Sequence, residues 1–178
     1  MAFIELKDEE GPNFVRAFAH RPDVYSAWRG LVGAITANMD ERLYELVTLA
    51  AARELRSSYC CLAHGKVLAT RLVPADTVVA AARDPRSAGL EPVEVAAMEL
   101  AARIVRDATA VTEEDVEELR HLGLSDAEIL DIAVAAAARC FFSKTLDALG
   151  VQPDHEYADL EPAELREALV IGRPIAPV

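Results

Sequence analysis

Three residues carry side chains and spacing that suit thiol chemistry: Cys60, His64 and Glu45. On a helix, residues three and four apart share a face. Ser57, Cys60, His64 and Val67 therefore form one stripe if the segment is helical. Cys60 would then lie in the first turn, where unpaired N–H groups and the helix dipole favour negative charge on a thiol. A histidine one turn later can accept the thiol proton or stabilise the thiolate. Glu45 precedes them on another helix. If the two helices pack antiparallel, its carboxylate reaches the imidazole directly or through water, giving a carboxylate–imidazole–thiol relay. The spacing also has a plainer reading, in which Cys60 is a small buried hydrophobe and His64 a satisfied polar group. Spacing alone leaves both open.

Other chemistries have less support. Cys60, His64 and Glu45 offer three metal donors, but Cys-x3-His lacks the second Cys/His cluster of a structural zinc site, so no metal is expected. There is no Gly-rich phosphate loop and no G-x-S-x-G elbow, and no cofactor is expected. His20, His121 and His155 sit in polar surroundings and read as solvated surface. Arg53 and Arg56 near Cys60 would lower a thiol pKa or hold an acidic substrate if they faced it; exposed helix-end cations are the simpler expectation. The run from Glu113 to Glu118 starts a helix, where negative charge complements the dipole.

The elements that must position these residues are helical. Alanine is abundant, β-branched runs are short, and no period-two alternation with hairpin dipeptides occurs. The pattern predicts a single all-α domain over 1–178 with about seven helices. One runs from Asp23 or Val24 to about Ala37 and buries Trp28, Leu31, Val32 and Ile35. Asp40 caps the next, whose uncharged stretch Leu46–Ala52 implies enclosure by neighbours. A third starts at Ser57 or Ser58 and runs to Leu72. Pro74 opens a fourth, ending near Ala82, and 83–89 is a loop. The fifth has Pro92 in its first turn and ends near Asp107. Thr112 caps the sixth, which stops at Gly123. Ser125 and Glu128 form a capping box for a long seventh, ending at Gly150. The proline-rich segment 158–178 is a tail with one helix, Pro162 to Val170. Its Ile171, Ile175 and Val178 call for cover from the same domain or from a neighbouring subunit.

Composition narrows the function. The 178 residues are 52% hydrophobic, which excludes disorder. Acids outnumber bases 30 to 18, for a net charge of −12. Such a surface repels phosphate backbones, so no nucleic-acid partner is expected. No apolar run is long enough to cross a membrane. The acidic start, Met1 to Glu10, has no signal-peptide pattern. Three cysteines, Cys60, Cys61 and Cys140, cannot all pair within one chain. A cytoplasmic protein with reduced thiols is the expectation.

Glu45, eleven residues, Ser57, two residues, Cys60, three residues and His64 resembles the E-x11-C-x2-C-x3-H motif of the carboxymuconolactone decarboxylase superfamily, and within it the alkyl hydroperoxidase D-like branch with its peroxidase-related members. A second stretch, Gly123 to Ile132 continuing through Phe141 to Val151, resembles that branch's long C-terminal helix and its D-A-L/T-G-V ending. The similarity covers roughly residues 14–157. Ser143 and Lys144 stand where the family has an asparagine–arginine type pair.

The resemblance implies a homo-oligomer, a trimer or a hexamer of paired subunits. It also implies a peroxidase that takes a small-molecule hydroperoxide and an external thiol reductant. Cys60 matches the cysteine attacked by peroxide, His64 its base and Glu45 the orienting carboxylate. Tyr59 and Ser57 become pocket residues, with Ser57 a hydrogen-bond donor to the thiolate, and Cys61 an adjacent candidate. The family's first cysteine, its resolving partner, falls on Ser57, which cannot form a disulfide. Cys60 would then act alone with an external thiol, or Cys61 would serve despite pointing about 100° away on a helix. Otherwise the pocket has another use, as a non-peroxidatic binding or regulatory oligomer or a carboxymuconolactone decarboxylase-like enzyme. Cys140 is expected to be packing.

Overall fold

The computed structural model describes residues 2–8 and 10–177. Met1, Glu9 and Val178 lie outside them. Among the described residues the regular elements are helical: α1 (Asn13–Phe18), α2 (Pro22–Thr36), α3 (Glu41–Glu54), α4 (Ser58–Val67), α5 (Ala75–Arg83), α6 (Pro92–Asp107), α7 (Glu113–His121), α8 (Asp126–Ala148) and α9 (Ala163–Leu169). The seven helices expected from the pattern correspond to α2–α8, and the tail helix to α9. The short α1 is the addition, in what the sequence suggested was a loose start.

The centre of the molecule is α3. Asp40 caps it by accepting from the Leu43 N–H at 3.0 Å. From Tyr44 to Ala52 every residue is buried, as the uncharged run implied. The helix is enclosed by α4, α6 and α8. Alanine at 50, 51 and 52 keeps its surface low there, so neighbouring backbones approach closely. The ends of α8 follow their signals: Glu128 N–H donates to Ser125 Oγ, Ser125 N–H donates back to Glu128 Oε2, and Gly150 adopts φ +71° after the last turn.

The turn from α3 into α4 is tight. Ser57 N–H donates to Ala52 O and Arg56 N–H to Arg53 O, both at 2.9 Å, the paired bonds of a Schellman ending. Arg56 takes the left-handed position, φ +56°, that glycine usually fills. This turn reverses the chain so that α4 runs back along α3.

The third expected helix divides. Its α-helical part is α4, and Leu68–Leu72 forms a π-helical turn closed by Val73 N–H to Leu68 O at 2.9 Å. Pro74 has no N–H to continue the ladder.

The tail folds back on its own chain. Leu165 and Leu169 of α9 are fully buried against α4 and α5, and Ile171 and Ile175 pack on the core. Beyond α9, the N–H groups of Ile171 and Gly172 donate to Ser58 Oγ at 3.1 and 2.8 Å. Position 172 requires glycine, because a Cβ there would lie 1.9 Å from Arg56 O. No helix among the described residues is long and apolar enough to cross a membrane.

Candidate active site around Cys60

The first turn of α4 places Cys60 almost fully buried. Its sulfur meets α8, where Arg139 and Ser143 stand four residues apart and share a face. Ser143 Oγ donates to Cys60 Sγ at 3.0 Å, and Arg139 Nη1 donates to the same sulfur at 3.7 Å. Arg139 Nη2 donates to Tyr44 Oη at 3.4 Å. The guanidinium lies 5.4 Å from the Trp28 ring and 5.5 Å from that of Phe142, a cation on aromatic faces. Arg139 is 5% exposed, and its Nε has no hydrogen-bond partner among the described residues.

Because α4 runs antiparallel to α3, the imidazole of His64 meets Glu45. His64 Nδ1 and Glu45 Oε2 are 2.6 Å apart. A carboxylate can only accept, so Nδ1 carries the proton and Nε2 keeps a lone pair. Burial pushes the His64 pKa below its ordinary value, the charge of Arg139 adds to that, and the pull of Glu45 does not reverse it. The ring is therefore a neutral base at neutral pH.

Cys60, His64, Glu45, Arg139 and Tyr44 line one cavity of about 500 Å³. Its apolar wall is aromatic: Phe14, Tyr25, Trp28, Tyr59 and Phe142, with Trp28 stacked on Phe142 at 5.0 Å. Among the described residues Cys60 Sγ has two hydrogen-bond donors, and His64 is not one of them.

The remaining sequence candidates occupy other places. Tyr59 contributes its ring to the cavity, while its hydroxyl donates to Asp154 and accepts from Phe14 N–H. Burial and that acid hold the phenol well above its usual range. Ser57 was expected as a donor to the thiol; its Oγ is instead buried beside Asp147, outside the cavity wall. The serine on the sulfur is Ser143. Cys61 is fully buried off the cavity, and burial pushes its thiol pKa up. All three cysteines are free. Arg53 and Arg56 bond to the tail carbonyls of Ala168 and Ile171 rather than facing Cys60. Lys144 is exposed. Among the described residues no group of three or more His, Cys, Asp and Glu is placed to hold a metal ion.

Arg139 is the residue the sequence reading missed. The signal available was a single cation inside the apolar run from Ile132 to Phe142.

Comparison with known proteins bears on the same elements. The carboxymuconolactone decarboxylase family profile matches residues 22–103, which include Glu45, Cys60 and His64. No curated protein matches the chain. Among solved structures, a peroxidase-related protein of Ralstonia eutropha JMP134 with an alkylhydroperoxidase AhpD core is 25% identical. It superposes with a TM-score of 0.76 over 82% of this chain and 78% of its own. A peroxidase-related protein of Silicibacter sp. TM1040 is 20% identical, with a TM-score of 0.67 over 83% and 79%. The debrominase Bmp8, as a cysteine-to-alanine variant in complex with 2,3,4-tribromopyrrole, is 21% identical, with a TM-score of 0.70 over 89% and 81%. The profile match over residues 22–103 and the shared helical fold make the chain similar to the carboxymuconolactone decarboxylase superfamily, and within it to proteins with an alkylhydroperoxidase AhpD core.

Proposed function

We propose that the protein is a thiol-dependent peroxidase in which Cys60 is the nucleophile. The observation that carries this reading is the setting of the sulfur: it receives Ser143 Oγ and Arg139 Nη1 and borders a cavity that the Glu45–His64 pair also lines. Two donors on one sulfur suit a thiolate, and a neutral imidazole held by a carboxylate suits a base.

The chemistry balances without a cofactor. The Cys60 proton passes to His64 Nε2 through the bound hydroperoxide. The thiolate attacks the terminal peroxide oxygen, an S–O bond forms and the O–O bond breaks. The departing alkoxide takes the proton from His64, leaving an alcohol and Cys60 sulfenic acid. Glu45 fixes the ring with Nε2 toward the cavity and offsets its transient charge. Arg139 stabilises the negative charge that moves from sulfur to the departing oxygen. With serine at 57, the sulfenic acid is resolved by a low-molecular-weight thiol. The first thiol forms a mixed disulfide and water, and the second releases Cys60 and the oxidised reductant.

A sulfenic-acid trap of the dimedone type, read by mass spectrometry after peroxide treatment, tests the assignment. Label at Cys60, and loss of peroxide consumption in Cys60→Ala, are expected; a folded protein with no label at Cys60 overturns it. Serine at 57 also favours a second reading, a pocket that binds a small molecule without redox turnover. Equal peroxide consumption by native protein and Cys60→Ala would select it. A homo-oligomer, trimer or hexamer, is part of the proposal. Leu31 of α2, expected from its helical spacing to be buried but exposed in the structure, and Leu130 and Phe141 of α8 are apolar side chains that association would cover, and light scattering should give a multiple of the 19.3 kDa chain.

A further inference from the structure

The chain has fifteen arginines, and their partners divide them sharply. Arg42, Arg71, Arg83, Arg86, Arg103, Arg106 and Arg120 pair with carboxylates. Arg16, Arg21, Arg53, Arg56, Arg166 and Arg173 donate to backbone carbonyls. Two remain with neither kind of partner among the described residues, Arg29 and Arg139. Both line the Cys60 cavity.

That coincidence needs a cause. On a chain of net charge −12, acids are plentiful, and a surface arginine finds one or a carbonyl almost everywhere else. Burying an arginine without a carboxylate is costly. Arg139 is buried and spends two of its nitrogens on Cys60 and Tyr44. Arg29, next to Trp28 on α2, lines the cavity and is exposed to solvent. Among the described residues the cavity's only carboxylate is Glu45, and it is held by His64. The lining therefore combines two cations, one exposed and one buried, with aromatic rings.

We propose that the cavity takes an organic acid with a flat apolar body. Its carboxylate sits on Arg29, its body lies against Trp28, Tyr25, Phe14 and Phe142, and its reacting end reaches Cys60 and Arg139. This deepens the peroxidase reading, on which it rests for what happens at the sulfur: the substrate class is a hydroperoxide that carries a carboxylate. The cavity volume suits a ligand of that size. Local cations are also what an acidic protein needs to admit an anion against its own field.

Trp28 is the only tryptophan in the chain and lies in the cavity wall, so its fluorescence reports binding without turnover. The test titrates native protein with 4-isopropylbenzoate and with its neutral isostere 4-isopropylbenzamide. The carboxylate should bind at least about tenfold tighter. Arg29→Gln should bring the two within about twofold, and Arg29→Lys should restore most of the preference. Equal affinity in the native protein, a preference that survives Arg29→Gln, or no binding of either compound overturns the proposal. Carboxylate binding without a sulfenic-acid label at Cys60 would keep the anion site and remove the peroxidase reading. A label without carboxylate preference would do the reverse.

Discussion

Ser143 Oγ donates to Cys60 Sγ at 3.0 Å, and it does so from a helix 83 residues further along the chain. The contact is a buried one, so its loss is not made good by water. A hydrogen bond to a charged group contributes about 1.5–3 kcal/mol. Ser143→Ala should therefore slow sulfenic-acid formation at Cys60 by about tenfold to a hundredfold, and Ser143→Thr should retain more of the rate. Stopped-flow peroxide consumption with the trap as end point measures it.

Arg139 should show opposed effects on rate and stability. Its guanidinium is buried without a carboxylate, so Arg139→Met removes a cost of burial while keeping an unbranched stem against Trp28 and Phe142. The melting temperature should hold or rise while peroxide consumption falls by about a hundredfold or more. Arg139→Lys should not rescue the rate, since a point charge cannot address Cys60 and Tyr44 together.

His64 sets a pH signature. The imidazole of the unfolded chain protonates near pH 6.5, while burial beside Arg139 keeps the folded ring neutral to lower pH. Between those values the unfolded state binds more protons, so stability rises with pH and falls on acidification below about 6.5. The loss stops once the folded ring also protonates. His64→Gln should flatten this part of the melting profile relative to the native protein. The acid limb of the peroxidase rate that His64→Gln removes should likewise fall below pH 6.5.

Ser57 faces Asp147 rather than the cavity, yet it stands three residues before Cys60 on the entry to α4. One helical turn brings Cα atoms within the range a disulfide spans. Ser57→Cys should therefore yield, after peroxide, a disulfide between positions 57 and 60, with the sulfenic-acid label reduced in proportion. Intact-mass and peptide mapping distinguish the two products. Persistence of the full label would show that the first turn of α4 is too rigid to bring the sulfurs together.

Gly172 separates packing from chemistry. A Cβ there meets the Arg56 carbonyl at 1.9 Å, whereas at Gly65 it meets Leu169 Cδ1 at 2.5 Å. A leucine end can turn aside and a backbone carbonyl in a Schellman turn cannot. Gly172→Ala should cost more stability than Gly65→Ala, about 2–3 kcal/mol or above, read from denaturant midpoints.

The helices from α2 to α8 were legible because each is bounded by local chemistry: Asp40, Pro74, Pro92, Thr112, Ser125, Gly123 and Gly150 act within a turn of themselves. Cys60, His64 and Glu45 were legible as candidates because helical spacing puts the first two on one stripe and the turn after Leu55 sends α4 back along α3. What the sequence did not reveal is relational. Whether Ser57 or Ser143 reaches the sulfur depends on how α8 lies across α4, and no local pattern encodes that crossing. Arg139 was hidden for the same reason, in an alanine run that reads as plain core. The π turn at 68–72 and α1 were missed because both are short and carry no side-chain cap.

The bonds that the N–H groups of Ile171 and Gly172 donate to Ser58 Oγ have a temporal consequence. The turn that holds Cys60 is finished by backbone made more than a hundred residues later, and α8, which supplies Ser143 and Arg139, also comes late. During synthesis the thiol exists long before its setting does. The nascent chain therefore presents Cys60 before Arg139 and Ser143 exist, and the cavity around it cannot close until α8 has been made.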